Sequence, residues 1–212
     1  MEKEIESVPV NNLVFELSKQ GHVLFKAKRY DEARASFEEA LLIEPENPYL
    51  LTGIGDLLRS QKKFSGAAEY YRHVLTFDPY NIYSLLGLGD ALRGLQQFHE
   101  AIEVWKTYLR HHQSDNIYVL TRIADSYKRH KDYDLALTYY QKASAVKPND
   151  RYVLLGLADL YKTKGHDLLA LEHYEKAVAG GVTTISILTI VGNLHLKHNN
   201  YEIYDPEKPL GP

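Results

Sequence analysis

Three kinds of side chain with chemistry to offer recur along this chain in one register. A phenol stands at Tyr49, Tyr83, Tyr118 and Tyr152, a carboxylate at Asp56, Asp90, Asp125 and Asp159, and a cation at Arg59, Arg93, Lys128 and Lys162. Such a set can hydrogen-bond, form ion pairs and present aromatic surface. It lacks an activated nucleophile beside a base, so it suits recognition and not bond making. Each acid and the cation after it stand at i, i+3, where a pair supports its own helix by roughly 0.2–0.5 kcal/mol. The other candidates are weaker. Ten histidines are scattered, and the close pairs His111 with His112 and His195 with His198 lack a nearby carboxylate or third ligand on the same face. They read as surface or core histidines and not as metal ligands. Gly53-x-Gly55 and Gly87-x-Gly89 lie inside helical patterns, where glycine serves close packing and not phosphate binding. No catalytic residue, metal site or cofactor is expected.

The elements that position this set are themselves repeated. Tyr83 to Arg93 (YSLLGLGDALR) matches Tyr49 to Arg59, Tyr118 to Lys128 and Tyr152 to Lys162, with degenerate copies at Phe15 to Phe25 and Ser186 to Leu196. Each copy has the apolar spacing of an amphipathic helix, as in Leu51, Ile54, Gly55 and Leu58. A second helix follows, with a small residue one turn ahead of an aromatic: Ala33 and Phe37, Ala67 and Tyr71, Ala101 and Trp105, Ala136 and Tyr140, Ala170 and Tyr174. Between units stand Pro45, Pro79 and Pro148 and the helix caps Asn47, Asn81, Asn116, Asp150 and Thr184, spaced 34, 35, 34 and 34 residues apart. The extra residue lies near Ser114. Helical period begins at Leu13, with Asn11 or Asn12 available as its cap.

With these residues and this period, the chain resembles the tetratricopeptide repeat family, whose 34-residue unit is a helix-turn-helix. The resemblance implies an all-α fold, a right-handed α-solenoid superhelix. It divides the chain into a lead-in (1–13), five repeats (14–47, 48–81, 82–115, 117–150 and 151–184), a terminal helix (185–198) that is a partial sixth repeat, and a tail (199–212). Gln20, Gln113 and Val182 depart from the pattern, and Gly165 is the only glycine at a turn inside a unit.

In that family the first helices line a concave groove that takes peptides or partner proteins. The resemblance therefore makes the phenol, acid and cation positions given above the candidate site, with Arg122 adding a charge at mid-groove suited to a ligand carboxylate. Two roles are open to the tyrosines: packing, over the glycine four residues on or against the adjacent unit, or contact with a bound chain. Gly53, Gly87 and Gly156, costly within a helix, favour a face whose backbone a tyrosine ring or bound chain can approach. The residues that co-chaperones of this family use to clamp a C-terminal carboxylate are not assembled here. A basic edge, Lys26, Lys28, Arg29, Lys62, Lys63, Arg129, Lys131 and Lys164, complements the helix C-termini.

Composition narrows the partners. A formal net charge of -3 provides no general attraction for nucleic acid or an anionic membrane. The absence of cysteine excludes disulfides and thiolate chemistry. An acidic start and no apolar run long enough to span a bilayer make the cytoplasm the expected location. In the partial sixth repeat, Leu188, Val191 and Gly192 fall on the expected stripe, while Asp205-Pro206 and Pro209 end any second helix. The apolar Ile185, Ile187, Ile190 and Leu196 there offer a surface for self-association. The expected function is a non-catalytic scaffold or adaptor for a protein or peptide; the alternative is an interaction module cut from a larger enzyme or sensor.

Overall fold

The computed structural model describes residues 10–198. Eleven helices and no strands occur among them: α1 (Val10–Lys26), α2 (Tyr30–Leu41), α3 (Pro48–Ser60), α4 (Phe64–Phe77), α5 (Ile82–Gly94), α6 (Phe98–His111), α7 (Ile117–Arg129), α8 (Tyr133–Val146), α9 (Arg151–Thr163), α10 (Asp167–Ala179) and α11 (Ile185–Lys197). They divide into two compact units, Met1–Ser114 with α1–α6 and Asp115–Pro212 with α7–α11. The division falls where the spacing lengthens by one residue and where Gln113 stands in place of the closing proline. The first helix starts at Val10, ahead of both asparagines expected to cap it. Most of the lead-in and the tail, with Asp205-Pro206 and Pro209, lie outside the described residues.

Local signals account for the boundaries. The side chains of Asn47, Asn81, Asn116 and Asp150 accept hydrogen bonds from backbone N–H groups in the first turns of α3, α5, α7 and α9. Pro48 adds a pre-set first position to α3. Thr184 stands at the same place before α11, but its side chain makes no such bond. The turn inside each repeat is a Schellman closure. In the first unit, Gln96 N–H donates to the Arg93 carbonyl and Gln97 N–H to the Leu92 carbonyl. The residue at the crux has positive φ in every repeat: Lys28, Lys62, Gln96, Lys131 and Gly165. Three members of the basic edge are therefore the left-handed residues of these turns.

The core of each unit is built around the aromatic of every second helix. Phe37, Tyr71 and Trp105 in the first unit and Tyr140 and Tyr174 in the second are fully buried. First helices are the more enclosed: eight residues of α3 are buried against four of α4, because α3 packs on the second helix of its own repeat and on that of the repeat before. A helix covered on both sides needs apolar residues beyond one stripe, which Leu50, Ile54 and Leu57, all at most 1% exposed, supply.

The glycines on these helices serve close packing, and the rings packed on them are the buried aromatics of the second helices. A methyl group added at Gly53 would lie 3.1 Å from the Phe37 ring, at Gly87 2.4 Å from Tyr71, and at Gly156 2.2 Å from Tyr140. Each therefore makes room for the buried aromatic of the preceding repeat, and neither an exposed tyrosine nor a bound chain is needed to explain it. Gly55 and Gly89 do the same for the aromatics of their own repeats, Tyr71 and Trp105. The Tyr71 ring is thus held between two glycines on successive first helices.

The terminal helix packs one face only. Leu194 is buried in a cluster with Ala158, Ala170, Leu171 and Tyr174, and Ile187, Ile190 and Val191 lie against it. Two of the four residues expected to be free for self-association, Ile187 and Ile190, are thus turned toward the core of the fifth repeat. Ile185 and Leu196 are exposed, as is Leu188, and no described residue approaches Gly192. The stripe expected to be covered is rotated by about one residue, because α11 packs chiefly on α10 and has no second helix of its own among the described residues.

Candidate functional site

Phenol, acid and cation occupy three different environments. The four tyrosines sit in the first turns of α3, α5, α7 and α9 and are 55–69% exposed. Exposure of this size rules out full burial and leaves both partial packing and contact with a bound chain open to them. Tyr49 is supported by the ring of His22, 4.7 Å between centroids, and Tyr152 by the Arg151 guanidinium, 4.7 Å from its ring. The aromatic row also starts earlier than the tyrosines alone indicate. Phe15, 60% exposed, stands 34 residues before Tyr49 and in the same register, a match visible in the degenerate first copy.

The aspartates face a buried partner that sequence inspection did not find. Tyr71 Oη donates to Asp56 Oδ1 at 2.7 Å, and Tyr140 and Tyr174 donate to Asp125 and Asp159 in the same way. Each pair is 15 residues apart, from first to second helix of one repeat. The rule is legible in hindsight, since the fixed repeat sets Asp and Tyr at constant separation. Burial, followed by the nearby aspartate, raises the pKa of all three phenols above its ordinary value near 10. Trp105 takes the aromatic place after Asp90, and its indole N–H has no hydrogen-bond partner among the described residues.

The cations tie repeats together. Arg59 contacts Asp56 at 2.8 Å, Asp90 of the next repeat at 3.3 Å, and Tyr71 Oη at 3.2 Å. In the second unit Lys128 lies 3.7 Å from Asp125 and 3.8 Å from Asp159. Arg93 pairs with Asp90 at 3.5 Å. Lys162 is exposed, and no ion pair joins it to Asp159 among the described residues, so the fourth i, i+3 pair is not formed. Arg122, on α7, is half-buried. The acid and base positions are thus largely engaged with each other, and the tyrosines present the free surface.

The histidines near the C-terminus were expected to lack carboxylate neighbours. They have them: His195 Nε2 lies 2.9 Å from Glu175 and His198 Nε2 3.5 Å from Asp167. These partners come from α10, so inspection of one helix face could not reveal them. No group of three or more potential metal ligands occurs among the described residues.

The pattern of the tetratricopeptide repeat matches residues 18–82 and 121–181, more than half of the chain. The chain belongs to the tetratricopeptide repeat family. Solved structures agree on the fold. That of Pseudomonas aeruginosa PilF is 18% identical, with 91% of this chain and 87% of that chain covered and a TM-score of 0.77. A fragment of MamA from Desulfovibrio magneticus RS-1 is 16% identical over 82% and 100% of the two chains, at a TM-score of 0.75. A thermophilic tetratricopeptide repeat protein of Thermus thermophilus is 20% identical over 86% and 99%, at 0.64. The shared fold is an all-α solenoid of helix-turn-helix repeats. No curated protein matches the chain. Tetratricopeptide repeats generally mediate protein–protein interaction, and no described helix is long and apolar enough to cross a membrane.

Proposed function

We propose that this protein is a non-catalytic scaffold that holds an extended segment of a partner protein on the faces of its first helices. The supporting observation is the exposure of Tyr49, Tyr83, Tyr118 and Tyr152, every one more than half open to solvent although tyrosine is a large, partly apolar side chain. Aromatic rings held by a rigid helix lose little conformational entropy on contact and commonly dominate binding energy. The acid and base positions on the same helices, including Asp56, Asp90, Arg59 and Arg93, would supply polar contacts by exchanging internal ion pairs for external ones. Arg122 is the position proposed to meet a ligand carboxylate.

A quantitative pull-down comparing the wild-type chain with a Tyr83→Ala, Tyr118→Ala variant of equal helicity tests this reading. Partners should be lost selectively from the variant. Retention of the same partners would remove the tyrosines from recognition.

A further inference from the structure

The first repeat departs from the others on the face that carries the aromatic row. Where the next four repeats place Gly53, Gly87, Arg122 and Gly156, each followed by an aspartate, this one has Lys19 and His22 after Phe15. On the same face a cleft of about 510 Å³ lies between α1 and α3, within the roughly 300–1,000 Å³ typical of ligand sites. Its apolar wall is Val14, Phe15, Val23 and Leu50, closed on one side by Tyr49. Phe15 and Val23 are each 60% exposed, an unusual loss for a surface with no partner.

Two polar groups inside the cleft are unsatisfied. Ser18 is 6% exposed and lines the cleft, yet its hydroxyl has no hydrogen-bond partner among the described residues. His22 Nε2 is buried and likewise unpartnered, with the ring fixed edge-on against Phe37 and tilted on Tyr49. Burial lowers the pKa of His22, so the imidazole is neutral at pH 7 and offers a hydrogen-bonding nitrogen without charge. An unpaired buried polar group is costly, and a ligand able to bond to it would recover that cost. Lys19 and Lys26 stand at the rim, and neither has an ion-pair partner among the described residues. The one acid lining the cleft, Glu44, already accepts a hydrogen bond from Asn47.

The geometry points to an anchor site for a partner peptide that inserts an aliphatic side chain between Phe15, Val23 and Leu50 and flanks it with acidic residues facing Lys19 and Lys26. A backbone amide and carbonyl of the inserted segment meet Ser18 and His22. This inference rests on the scaffold reading above and gives the partner a chemistry: acidic, with an exposed aliphatic residue. An extended chain suits the site because the cleft is open and continues the row of Phe15, Tyr49 and Tyr83, one residue per repeat.

The test uses the full chain and two short labelled peptides, one with Leu-Ile flanked by glutamates and one with Leu-Ile flanked by lysines. Fluorescence anisotropy should show the glutamate peptide bound about tenfold or more tightly than its counterpart, or about 1.4 kcal/mol, with the difference shrinking as salt rises. Lys19→Glu with Lys26→Glu, both surface changes, should invert the preference while helicity stays unchanged. Val23→Arg should weaken both peptides. Equal binding of the two peptides, no binding of either, or a preference untouched by the double charge reversal would overturn the site. Should binding instead vanish only in Tyr83→Ala, the anchor fails and the wider aromatic face stands; dependence on Lys19 and Lys26 alone supports the anchor and sinks the wider face. A dimer that the charge reversal dissociates would assign the cleft to a second copy and refute the peptide.

Discussion

A single methyl group separates a tolerated residue from a disruptive one at several points of this chain. An alanine at Gly89 would bring its Cβ within 2.2 Å of the Trp105 indole nitrogen, and the buried ring has no empty space to move into. Gly89→Ala should destabilise the protein by about 1–3 kcal/mol, the usual cost of overpacking a core, as measured by urea denaturation. The opposite sign is expected where a side chain is held in the left-handed region. Gln96 is exposed at φ 62°, so Gln96→Gly removes the clash of its Cβ and should raise stability by about 1 kcal/mol. A loss of stability at Gln96→Gly would mean that its side chain contributes more than its backbone costs.

Between helices, the repeated element is a buried phenol bonded to a half-exposed carboxylate. The Asp56–Tyr71 bond joins α3 to α4, and Arg59 extends it to Asp90 on α5. Tyr71→Phe should cost about 1 kcal/mol, below the range for bonds to fully buried charges, because the Asp56 carboxylate still reaches water. The raised pKa values of Tyr71, Tyr140 and Tyr174 fix a pH dependence. Unfolded tyrosines release their protons near pH 10 while these three retain theirs, so the folded state binds more protons above that pH. Stability is fully present below about pH 10 and falls as pH rises beyond it. Phenolate absorbance from these three should therefore appear together with loss of helicity, and their titration in the folded protein would contradict the packing.

At the scale of the whole chain, stability is expected to be uneven, because each repeat is held by its neighbours and α11 has one covered face among the described residues. In the second unit α9 is covered well enough to bury Val153, Gly156, Ala158 and Leu160, while α11 buries Leu194 alone. Hydrogen exchange should be faster for amides of α11 than for those of α9, reflecting local opening that leaves the rest intact. Equal protection of the two helices would show that the exposed stripe of Ile185, Leu188 and Leu196 is covered in solution.

Repetition made much of this legible in the sequence. Caps at Asn47, Asn81, Asn116 and Asp150, the helix pairs and the small-against-large packing all follow from local periodicity, since each depends on residues within one or two turns or on a constant offset. Close packing at the glycines followed, but not its partner, because Gly53 answers to Phe37 on another helix and a sequence does not state which ring fills which gap. The aspartates were visible as helix neighbours of Arg59 and its counterparts, yet their bonds to Tyr71, Tyr140 and Tyr174 depend on how two helices cross. The same holds for His195 and His198, whose carboxylates come from α10. The cleft beside Lys19 and His22 is the clearest case: its lining comes from α1 and from the start of α3, and only the tertiary arrangement places Lys19 and Lys26 beside the apolar wall of Val14, Phe15, Val23 and Leu50.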